Sequence, residues 1–408
     1  MSDRSAVIMA AGKGTRLEPL SKTVPKPLLK VAGKTILYHN MHAMSHLVNE
    51  YILIVEYMHE LIESAVGGTF EGKPVYYVRQ HEPLGTGHAL KIAEDSIHNE
   101  NFFVINGDDI YDQIFYEESV KYDRSIAGKS VENWPIFGIL RTKADGTLDD
   151  VVEKPSEFIG DVANIGLYYL DKNIFKYTKN MPLSKRGEYE LTDPLTAYCK
   201  DYAMELVTVN GYWLTIGYPW HILTANERLM PDFKGEILGE IEPNVVIKGN
   251  VSIGKGTVVK SGTYLDGNII IGENCIIGPH CYIRGNVDIG NYCKIGSSVE
   301  IEHTSIGNKV NIEHLSFIGF SVLGNNIILG GGTVTADRRH DRGSIKVNVK
   351  ENLVDTGLYH LGAIIGDQVR TGIHTSIYPG RKLAYHSYTS PGEVVKQDKL
   401  SSQDITLK

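Results

Sequence analysis

A glycine-rich turn with two cations follows the first apolar run of the chain. Residues Ala6 to Ala10 are apolar, and they lead into Gly12-Lys13-Gly14-Thr15-Arg16. Glycines let backbone N–H groups approach a phosphate closely, and an arginine adds a forked cation for its oxygens. The pattern predicts a phosphate site at the end of a buried strand. For the two glycines taken alone, an ordinary tight turn is the alternative.

Apolar runs and amphipathic segments alternate through the N-terminal half of the chain. The pattern predicts strands at 6–10, 51–55, 75–78 and 102–105 and helices over 36–48, 58–66 and 85–97. Alternating β and α elements indicate a mostly parallel sheet, whose ligands bind beyond the carboxyl ends of its strands. Both Gly12 to Arg16 and Asp108, in Gly107-Asp108-Asp109, fall at such ends. Asp109 is interpreted as a turn residue or helix N-cap.

A second pattern, of period six, occupies the C-terminal half. Every sixth residue is aliphatic at Ile247, Ile253, Val259, Leu265, Ile271, Ile277, Ile283, Ile289, Ile295 and Ile301. This period fits neither an α-helix nor an alternating strand, so the chain must bend once per hexad and stack its bends. Three hexads then close one triangular turn. The pattern predicts a left-handed parallel β-helix, against a loose β-rich chain with chance spacing.

The two patterns divide the chain into two predicted domains, 1–234 and 235–408. At 408 residues the chain is too long for one core. Beyond Ile301 the hexad register slips, and the polar segment Ala336 to Ser344 breaks it before hexads resume at Ile365. Slips of this kind indicate a loop or a distorted coil.

Composition and net charge bear on the binding partners and the location of the protein. The net charge is -8, with 42% hydrophobic and 22% charged residues, and no basic cluster is present. These values argue against nucleic-acid or anionic-membrane partners. With no signal peptide or membrane span recognised, a cytoplasmic protein is expected. Cys275, Cys281 and Cys293 lie at intervals of six and twelve in the small-residue position of the hexads, which favours packed thiols over a metal site.

The N-terminal motif identifies a family. Residues 10–20, Ala-Ala-Gly-Lys-Gly-Thr-Arg-Leu-Glu-Pro-Leu, with Pro25-Lys26-Pro27 after them, resemble the signature of sugar-1-phosphate nucleotidylyltransferases. That family includes glucose-1-phosphate thymidylyl- and uridylyltransferases and the uridylyl half of bifunctional N-acetylglucosamine-1-phosphate uridylyltransferases. The resemblance covers essentially the whole chain, because archaeal bifunctional members join this α/β domain to a hexapeptide-repeat domain.

The resemblance implies a role for individual positions. The nucleotide, UTP or dTTP, would be held by the backbone of Ala11, Gly12, Gly14 and Thr15. Its phosphates would be bound by Arg16 and Lys26, and its base read by Gln80, Gly85 and Thr86. Asp108 would hold Mg²⁺, and the sugar phosphate would be bound by Glu153, Lys154, Asn164, Gly166 and Glu188. Glu188 could instead belong to the first turn of the following helix, where acidic residues are favoured.

The implied chemistry explains the residue types. A sugar-1-phosphate oxygen attacks the α-phosphorus of a nucleoside triphosphate in line, and pyrophosphate leaves. Catalysis of this kind is mainly positioning and charge neutralisation. One departure stands out: a second magnesium aspartate usually lies in a Trp-x-Asp-x-Gly stretch, and here that position is Thr215, between Trp213 and Gly217. Either the metal relies on Asp108, phosphate oxygens and water, or the site is impaired.

The slipped region is similar to the acetyltransferase site of the bifunctional family. There, a histidine at the position of His314 takes a proton from an amino-sugar phosphate as it attacks acetyl-CoA, and Lys346 matches a lysine that approaches the sugar phosphate. Two positions depart from the pattern, since a family tyrosine is Phe317 and a family asparagine is Asp337. A structural or solvent-facing histidine is the alternative. In the family the acyl-donor site lies between subunits of a homotrimer, which is the expected assembly.

Three hypotheses follow for the function. The first is an enzyme that makes a nucleotide sugar from small-molecule substrates and also acetylates an amino-sugar precursor. The second is a single-activity nucleotidylyltransferase whose β-helix serves only assembly. The third is a catalytically weak nucleotide-sugar-binding subunit, prompted by Thr215 and Phe317.

Overall fold

The computed structural model describes residues 3–184, 187–350 and 352–399. By its contacts the chain divides into two compact units. The first comprises Met1–Lys13, Pro25–Leu28 and Ile36–Thr215, and the second comprises Gly14–Val24, Leu29–Thr35 and Ile216–Lys408. Residues 1–2, 185–186, 351 and 400–408 of these ranges lie outside the described residues. The predicted boundary after residue 234 stays a prediction.

The first unit contains a mixed sheet built around parallel strands. The strand Arg4–Met9 lies in the centre and pairs in parallel with Glu50–Val55 and Asn101–Asn106. Glu50–Val55 pairs in parallel with Lys73–Arg79. On the opposite side of the central strand, Val162–Asp171 pairs with Asn101–Asn106 in antiparallel orientation. The full order is Leu148–Glu153, Gly138–Thr142, Val162–Asp171, Asn101–Asn106, Arg4–Met9, Glu50–Val55, Lys73–Arg79 and Thr69–Phe70, with Ser125–Ser130 and Glu205–Val207 attached beside Val162–Asp171. The predicted α/β sheet is confirmed.

Helices cover both faces of this sheet because its central strand is apolar on both sides. Ala6 and Ile8 belong to one buried cluster and Val7 to the other, as expected for a strand covered by helices on each face. The described α-helices of this unit are Ile36–Met44, His59–Val66, Thr86–Ile92, Gln113–Ser119, Phe175–Thr178 and Thr192–Asp201. Short 3-10 turns lie at Lys26–Leu28, Glu94–Ser96, Trp134–Ile136 and Lys172–Ile174, and a two-stranded ribbon pairs Asp109–Tyr111 with Trp213–Thr215.

The second unit is dominated by a parallel β-helix. Val246 pairs with Tyr264, and Tyr264 with Tyr282, so one turn of the coil takes eighteen residues, or three hexads. The aliphatic residue of each hexad points into one continuous core, which also holds Cys275, Cys281 and Cys293 as free thiols. The predicted parallel β-helix is confirmed, and its cysteines are packing residues.

Most of the coil strands have two or three residues, and the three strands of eight residues each contain a glycine with positive φ, at Gly249, Gly267 and Gly285. The coil strands comprise Glu240–Ile241, Val246–Ile253, Val258–Val259, Tyr264–Ile271, Ile276–Ile277, Tyr282–Ile289, Lys294–Ile295, Glu300–Glu302, Ser305–Ile306, Asn311–Ile312, Phe317–Gly319, Val322–Leu323, Ile328–Leu329, Val334–Thr335, Ile364–Ile365, Ser376–Ile377, Lys382–Leu383 and Val394–Val395. The unit also contains the helix His221–Leu229, the 3-10 turns Thr15–Leu17, Leu20–Lys22 and Met230–Asp232, and the short ribbon Lys30–Val31 with Lys34–Thr35.

The predicted register slip and loop correspond to a shortened turn and an insertion. Glu300 pairs with Phe317, so this turn takes seventeen residues. Val322 pairs with Ile364, and the extra residues leave the coil after Thr335. They include the predicted polar loop and an antiparallel hairpin, Lys346–Val349 with Asn352–Asp355. None of the described helices is long and apolar enough to span a bilayer.

Candidate active sites

A buried lysine and a half-exposed aspartate form an ion pair in the first unit. Lys26 Nζ lies 2.6 Å from Asp108 Oδ2, and the lysine side chain is 7% exposed whereas the aspartate is 45% exposed. Asp108 lies just beyond the carboxyl end of the strand Asn101–Asn106, which pairs with the central strand. Gly107 makes this turn possible, because a Cβ there would lie 2.8 Å from the carbonyl oxygen of Met9. The pair therefore presents a cation and an accessible carboxylate where ligands of parallel sheets bind.

The neighbouring aspartate has a structural role. Trp213 Nε1 donates to Asp109 Oδ2 over 3.0 Å, and Asn40 Nδ2 donates to the Asp109 carbonyl over 2.7 Å. Thr215 stands directly opposite Asp109 in the antiparallel ribbon. The prediction of a turn residue or helix N-cap is wrong, because Asp109 begins the strand Asp109–Tyr111 and Asp112 is the N-cap of the helix Gln113–Ser119.

The accessible carboxylate of Asp108 fits a hard cation such as Mg²⁺. Magnesium binds through one or two carboxylates and otherwise keeps water or phosphate oxygens. Within the described residues, no group of three or more His, Cys, Asp or Glu side chains is arranged to enclose a metal. The donor set therefore suits a cation that is completed by substrate oxygens.

The glycine-rich turn begins in the first unit. The Ala10 amide donates to the Ile54 carbonyl over 2.8 Å, which ends the strand, and Gly12 follows as an exposed residue. A Cβ on Gly12 would meet no atom within 4 Å. Protein packing therefore does not require glycine at residue 12, whereas close approach of a ligand would.

The turn continues in the second unit with Gly14, Thr15 and Arg16. Gly14 has φ +60° and begins the 3-10 turn Thr15–Leu17, so a residue without a Cβ is favoured there. The Arg16 guanidinium lies over the ring of Tyr218, 5.6 Å from its centroid. Tyr218 was not found by sequence reasoning, because a cation stacked on a ring leaves no local pattern.

The predicted base-reading residues lie together. Gln80 is buried, and its Nε2 donates to the Gly85 carbonyl over 3.0 Å. Gly85 has φ +104°, and a Cβ there would lie 2.5 Å from the Tyr189 carbonyl oxygen. Backbone bonds hold the two segments together, from Tyr189 N to Leu84 O over 2.7 Å and from Gly87 N to Tyr189 O over 2.8 Å.

This packing also fixes Thr86 and Glu188. The Leu191 amide donates to Thr86 Oγ1 over 3.1 Å at the start of the helix Thr192–Asp201. The Glu188 side chain is exposed, and its Cβ lies 3.1 Å from the Cβ position of Gly85. His88 lies beside Gln80, with 3.2 Å between Gln80 Nε2 and His88 Nδ1, and burial lowers its pKa. It was not anticipated from sequence.

Four of the predicted sugar-phosphate residues lie on or directly after two strands, Leu148–Glu153 and Val162–Asp171, which flank the strand Gly138–Thr142 in the sheet. Glu153 ends the strand Leu148–Glu153, and Lys154 follows with φ +45°, its amide donating to the Phe137 carbonyl over 3.0 Å. Both side chains are exposed. Burial raises the pKa of Tyr168 above its ordinary value, and the charge of Glu153 adds to this rise.

Asn164 and Gly166 form an irregularity in the strand Val162–Asp171. Asn164 Oδ1 accepts from the Gly166 amide over 3.0 Å, and Asn164 Nδ2 donates to the Tyr168 hydroxyl over 2.8 Å. Gly166 has φ +75°, and a Cβ there would lie 2.1 Å from Asn106 Nδ2. The irregularity therefore packs against the strand that leads to Asp108, and Asn106 is a contact that sequence reasoning missed.

The predicted acetyltransfer residues are spread over the β-helix and its insertion. His314 is exposed, and its Nε2 lies 3.0 Å from the Cβ position of Gly331 on the next turn. Within the described part of the chain, no hydrogen bond or ion pair is made by the His314 ring, or joins it to Asp337 or Lys346. Asp337 Oδ2 lies 2.7 Å from His360 Nδ1 at the base of the insertion.

Lys346 lines a cationic cavity of about 290 Å³. The cavity walls are Arg339, Ile345, Lys346, Leu353, Tyr378, Pro379, Arg381 and Lys396. Arg339 is paired with Asp341, and Arg381 Nη2 donates to the Lys346 carbonyl over 3.0 Å. Four cations around apolar walls suit a phosphorylated ligand. Sequence reasoning found only Lys346, because its three partners lie in different segments.

Comparisons with known proteins agree with this geometry. A family model described as nucleotidyl transferase matches residues 5–231, and a model of bacterial transferase hexapeptide repeats matches residues 268–303. The chain is 37% identical to the bifunctional protein GlmU of Methanocaldococcus jannaschii, over 96% of this chain and 95% of the relative. It is 34% identical to a bifunctional sugar-1-phosphate nucleotidylyltransferase/acetyltransferase of Sulfurisphaera tokodaii, over 96% of this chain and 97% of the relative.

Solved structures match more than half of the chain. A UDP-glucose pyrophosphorylase complexed with UDP-glucose is 25% identical, covers 55% of this chain and 97% of its own, and has a TM-score of 0.51. A putative glucose-1-phosphate thymidylyltransferase from Bacillus anthracis is 28% identical, covers 57% of this chain and 97% of its own, and also has a TM-score of 0.51.

Proposed function

The chain belongs to the nucleotidyl transferase family in its bifunctional, hexapeptide-repeat form, and we propose that it transfers a nucleotidyl group from UTP or dTTP to a sugar 1-phosphate. A phosphate oxygen of the sugar 1-phosphate bonds to the α-phosphorus, the bond from that phosphorus to the bridging oxygen of the β-phosphate breaks, and pyrophosphate leaves with the electron pair. The observation that carries the proposal is the Lys26–Asp108 pair beyond the carboxyl end of the strand Asn101–Asn106.

We assign binding and orientation to the residues that the family resemblance implies. Backbone amides from Ala11 to Thr15 and the cations Arg16 and Lys26 take the triphosphate, and Gln80 with Gly85 and Thr86 takes the base. Glu153, Lys154, Asn164, Gly166 and Glu188 take the sugar phosphate. When Mg²⁺ is bound, by Asp108 and substrate oxygens, it neutralises charge on the phosphates. Because two anions must meet, these cations lower the electrostatic cost of their approach.

The experiment measures pyrophosphate release by the purified full chain with UTP or dTTP, glucose 1-phosphate and Mg²⁺. Lys26→Met should lower kcat about 100-fold or more, because one preorganised cation is lost from the transition state. Lys22→Met is the matched control, since Lys22 is an exposed lysine of the same segment, and it should retain wild-type rates. No pyrophosphate release by the wild type across a panel of nucleoside triphosphates and sugar phosphates would refute the proposal.

We propose acetyl transfer from acetyl-CoA to an amino-sugar 1-phosphate as the second activity. The bifunctional relatives support it, as do the exposed His314 imidazole and the cationic cavity around Lys346. His314 would accept the amine proton while the amine nitrogen bonds to the acetyl carbon and the thiolate of coenzyme A leaves. The Asp337 carboxylate is engaged by another side chain, because its Oδ2 lies 2.7 Å from His360 Nδ1.

Glucosamine 1-phosphate with acetyl-CoA tests this activity through release of free thiol. His314→Ala should abolish thiol release and leave pyrophosphate release at the wild-type rate. A wild-type chain that forms pyrophosphate and never releases thiol would instead identify a single-activity enzyme whose β-helix serves assembly.

We also propose a homotrimer formed through the flat faces of the β-helix, working in the cytoplasm. Light scattering measures the assembly directly. A monomer at working concentration would exclude an acyl-donor site shared between subunits.

A further inference from the structure

A buried aspartate of the β-helix is hydrogen-bonded to the N-terminal signature segment. Both partners belong to the second unit, which contains Gly14–Val24 together with the coil. Thr23 Oγ1 donates to Asp367 Oδ2 over 2.7 Å, although the two residues are 344 positions apart in sequence. Asp367 is 6% exposed. Pro19 lies beside this contact, with its Cβ 2.9 Å from the Cβ position of Gly366.

The hydrogen bond that residue 367 makes to the backbone of the preceding turn does not by itself require an aspartate. In three preceding turns an asparagine stands at the equivalent position, and its side-chain oxygen accepts a backbone amide of the turn before it. Asn291 accepts from Glu273, Asn308 from Asn291, and Asn325 from Asn308. Asp367 Oδ1 does the same for the Asn325 amide, over 2.7 Å. Accepting this hydrogen bond needs one side-chain oxygen, which asparagine also has.

The second oxygen makes the difference. At Asp367 it accepts the Thr23 hydroxyl, as well as Asn325 Nδ2 over 3.2 Å. An asparagine would place an NH₂ group, a donor, where the threonine hydroxyl and the amide now donate. The carboxylate at residue 367 is therefore matched to the signature segment.

A second contact of the same kind lies further along the chain. The Gly33 amide donates to Asp288 Oδ2 over 3.0 Å, and Lys30 Nζ donates to Asn308 Oδ1 over 3.2 Å. The segments 14–24 and 29–35, which flank Lys26 in sequence, are thus each held by side chains of the coil.

We propose that Asp367 is a positioning residue for nucleotidyl transfer: through Thr23 it holds the segment that carries Gly14, Thr15 and Arg16 in place before the triphosphate binds. The inference rests on the proposed function, in which those three residues bind the nucleotide. A segment ordered in advance loses less conformational entropy when its ligand binds, so the affinity for the triphosphate depends on the coil.

Three variants of the full chain test the proposal. Thr23→Val removes the donor with little change of shape, and Thr23→Ser keeps a hydroxyl. Asp367→Asn keeps the bond from the Asn325 backbone amide and replaces the oxygen that accepts from both Thr23 Oγ1 and Asn325 Nδ2. Thr371→Val is the matched control, because the Thr371 hydroxyl contacts only other coil residues, Thr333 Oγ1 and the Gly330 amide, both at 2.9 Å.

The readouts are KM for UTP or dTTP, KM for glucose 1-phosphate, kcat, and amide hydrogen exchange in residues 14–24. Thr23→Val and Asp367→Asn should each raise KM for the triphosphate about tenfold, the loss expected for one hydrogen bond to a charged acceptor. They should also speed exchange in residues 14–24 and leave KM for the sugar phosphate unchanged. Thr23→Ser should have the wild-type KM. The double variant Thr23→Val/Asp367→Asn should have the same KM for the triphosphate as either single variant, because both substitutions remove the same hydrogen bond.

The outcomes separate this inference from the proposed function. A wild-type chain that releases no pyrophosphate refutes the proposed function, and the exchange measurement then still tests whether Thr23 fixes the segment. An active wild type with unchanged triphosphate KM in Thr23→Val overturns the inference. So does an equal rise of KM in Thr371→Val, since that result would reflect general loosening of the coil. Melting temperatures of all variants identify any that fail to fold.

Discussion

The uncharged Thr215 gives a direct test of how the nucleotidyl site handles its metal. Thr215 is half-buried and stands opposite Asp109, whose carboxylate accepts from Trp213. Thr215→Asp would place a second carboxylate in this ribbon. Without metal, two like charges directly opposed on neighbouring strands destabilise the fold by about 0.2–1 kcal/mol.

When Mg²⁺ is present, we expect Thr215→Asp to stabilise the protein instead of destabilising it. An exposed ion pair contributes up to about 1 kcal/mol after desolvation and ordering, and the doubled charge of Mg²⁺ brings the expected gain to roughly 1–2 kcal/mol. This corresponds to roughly a tenfold drop in the Mg²⁺ concentration that gives half-maximal turnover.

The assay is pyrophosphate release titrated with Mg²⁺ at saturating substrates, together with melting temperature with and without the metal. Thr215→Asn is the control, because it is polar and uncharged and should leave the titration unchanged. We expect Thr215→Asp to melt below the wild type without Mg²⁺ and to recover when it is added. An unaltered magnesium requirement in Thr215→Asp would refute the reasoning that this position faces the metal.

Three further predictions follow from individual contacts. Gly85→Ala should lower the free energy of unfolding by about 1–3 kcal/mol in urea titrations, because φ +104° is strained for alanine and its Cβ would meet the Tyr189 carbonyl oxygen; an unchanged midpoint would contradict the close approach. Burial raises the pKa of Asp288 above its ordinary value of 3.8, so the stability that its neutral form contributes is complete below that value and is lost as the pH rises through the raised pKa. Asp288→Asn can still accept from Gly33, so the melting temperature of the variant relative to the wild type should increase as the pH rises above 3.8, and a difference that does not change with pH would count against this assignment. Lys346→Met should raise KM for glucosamine 1-phosphate or acetyl-CoA about tenfold in the thiol assay and leave pyrophosphate release unaltered, whereas unchanged thiol kinetics would place the ligand elsewhere.

Several features of the candidate site could be predicted from sequence because they are local. The apolar run before Gly12, the aspartate after the strand Asn101–Asn106, and Lys26 between two prolines each lie in a short readable stretch. The structure places Lys26 and Asp108 in contact. Their roles were implied by resemblance and stay proposals.

Other contacts could not be predicted because they join distant segments. The approach of Tyr189 to Gly85, the ion pair of Asp337 with His360, and the stacking of Arg16 on Tyr218 leave no periodic signal. The sequence showed that Asp337 differs from the family asparagine, and the structure supplies its partner.

The sequence by itself determined the kinds of elements and the turn of the coil. A period of six can bury its aliphatic residues only by bending at each hexad, and the alternation of apolar runs with amphipathic segments requires parallel strands covered by helices. Only the tertiary structure decided which distant residues meet, as Thr23 meets Asp367 and Trp213 meets Asp109. The physical reason is that periodicity reports which side of an element is buried, whereas the partner across a contact depends on how separate elements pack.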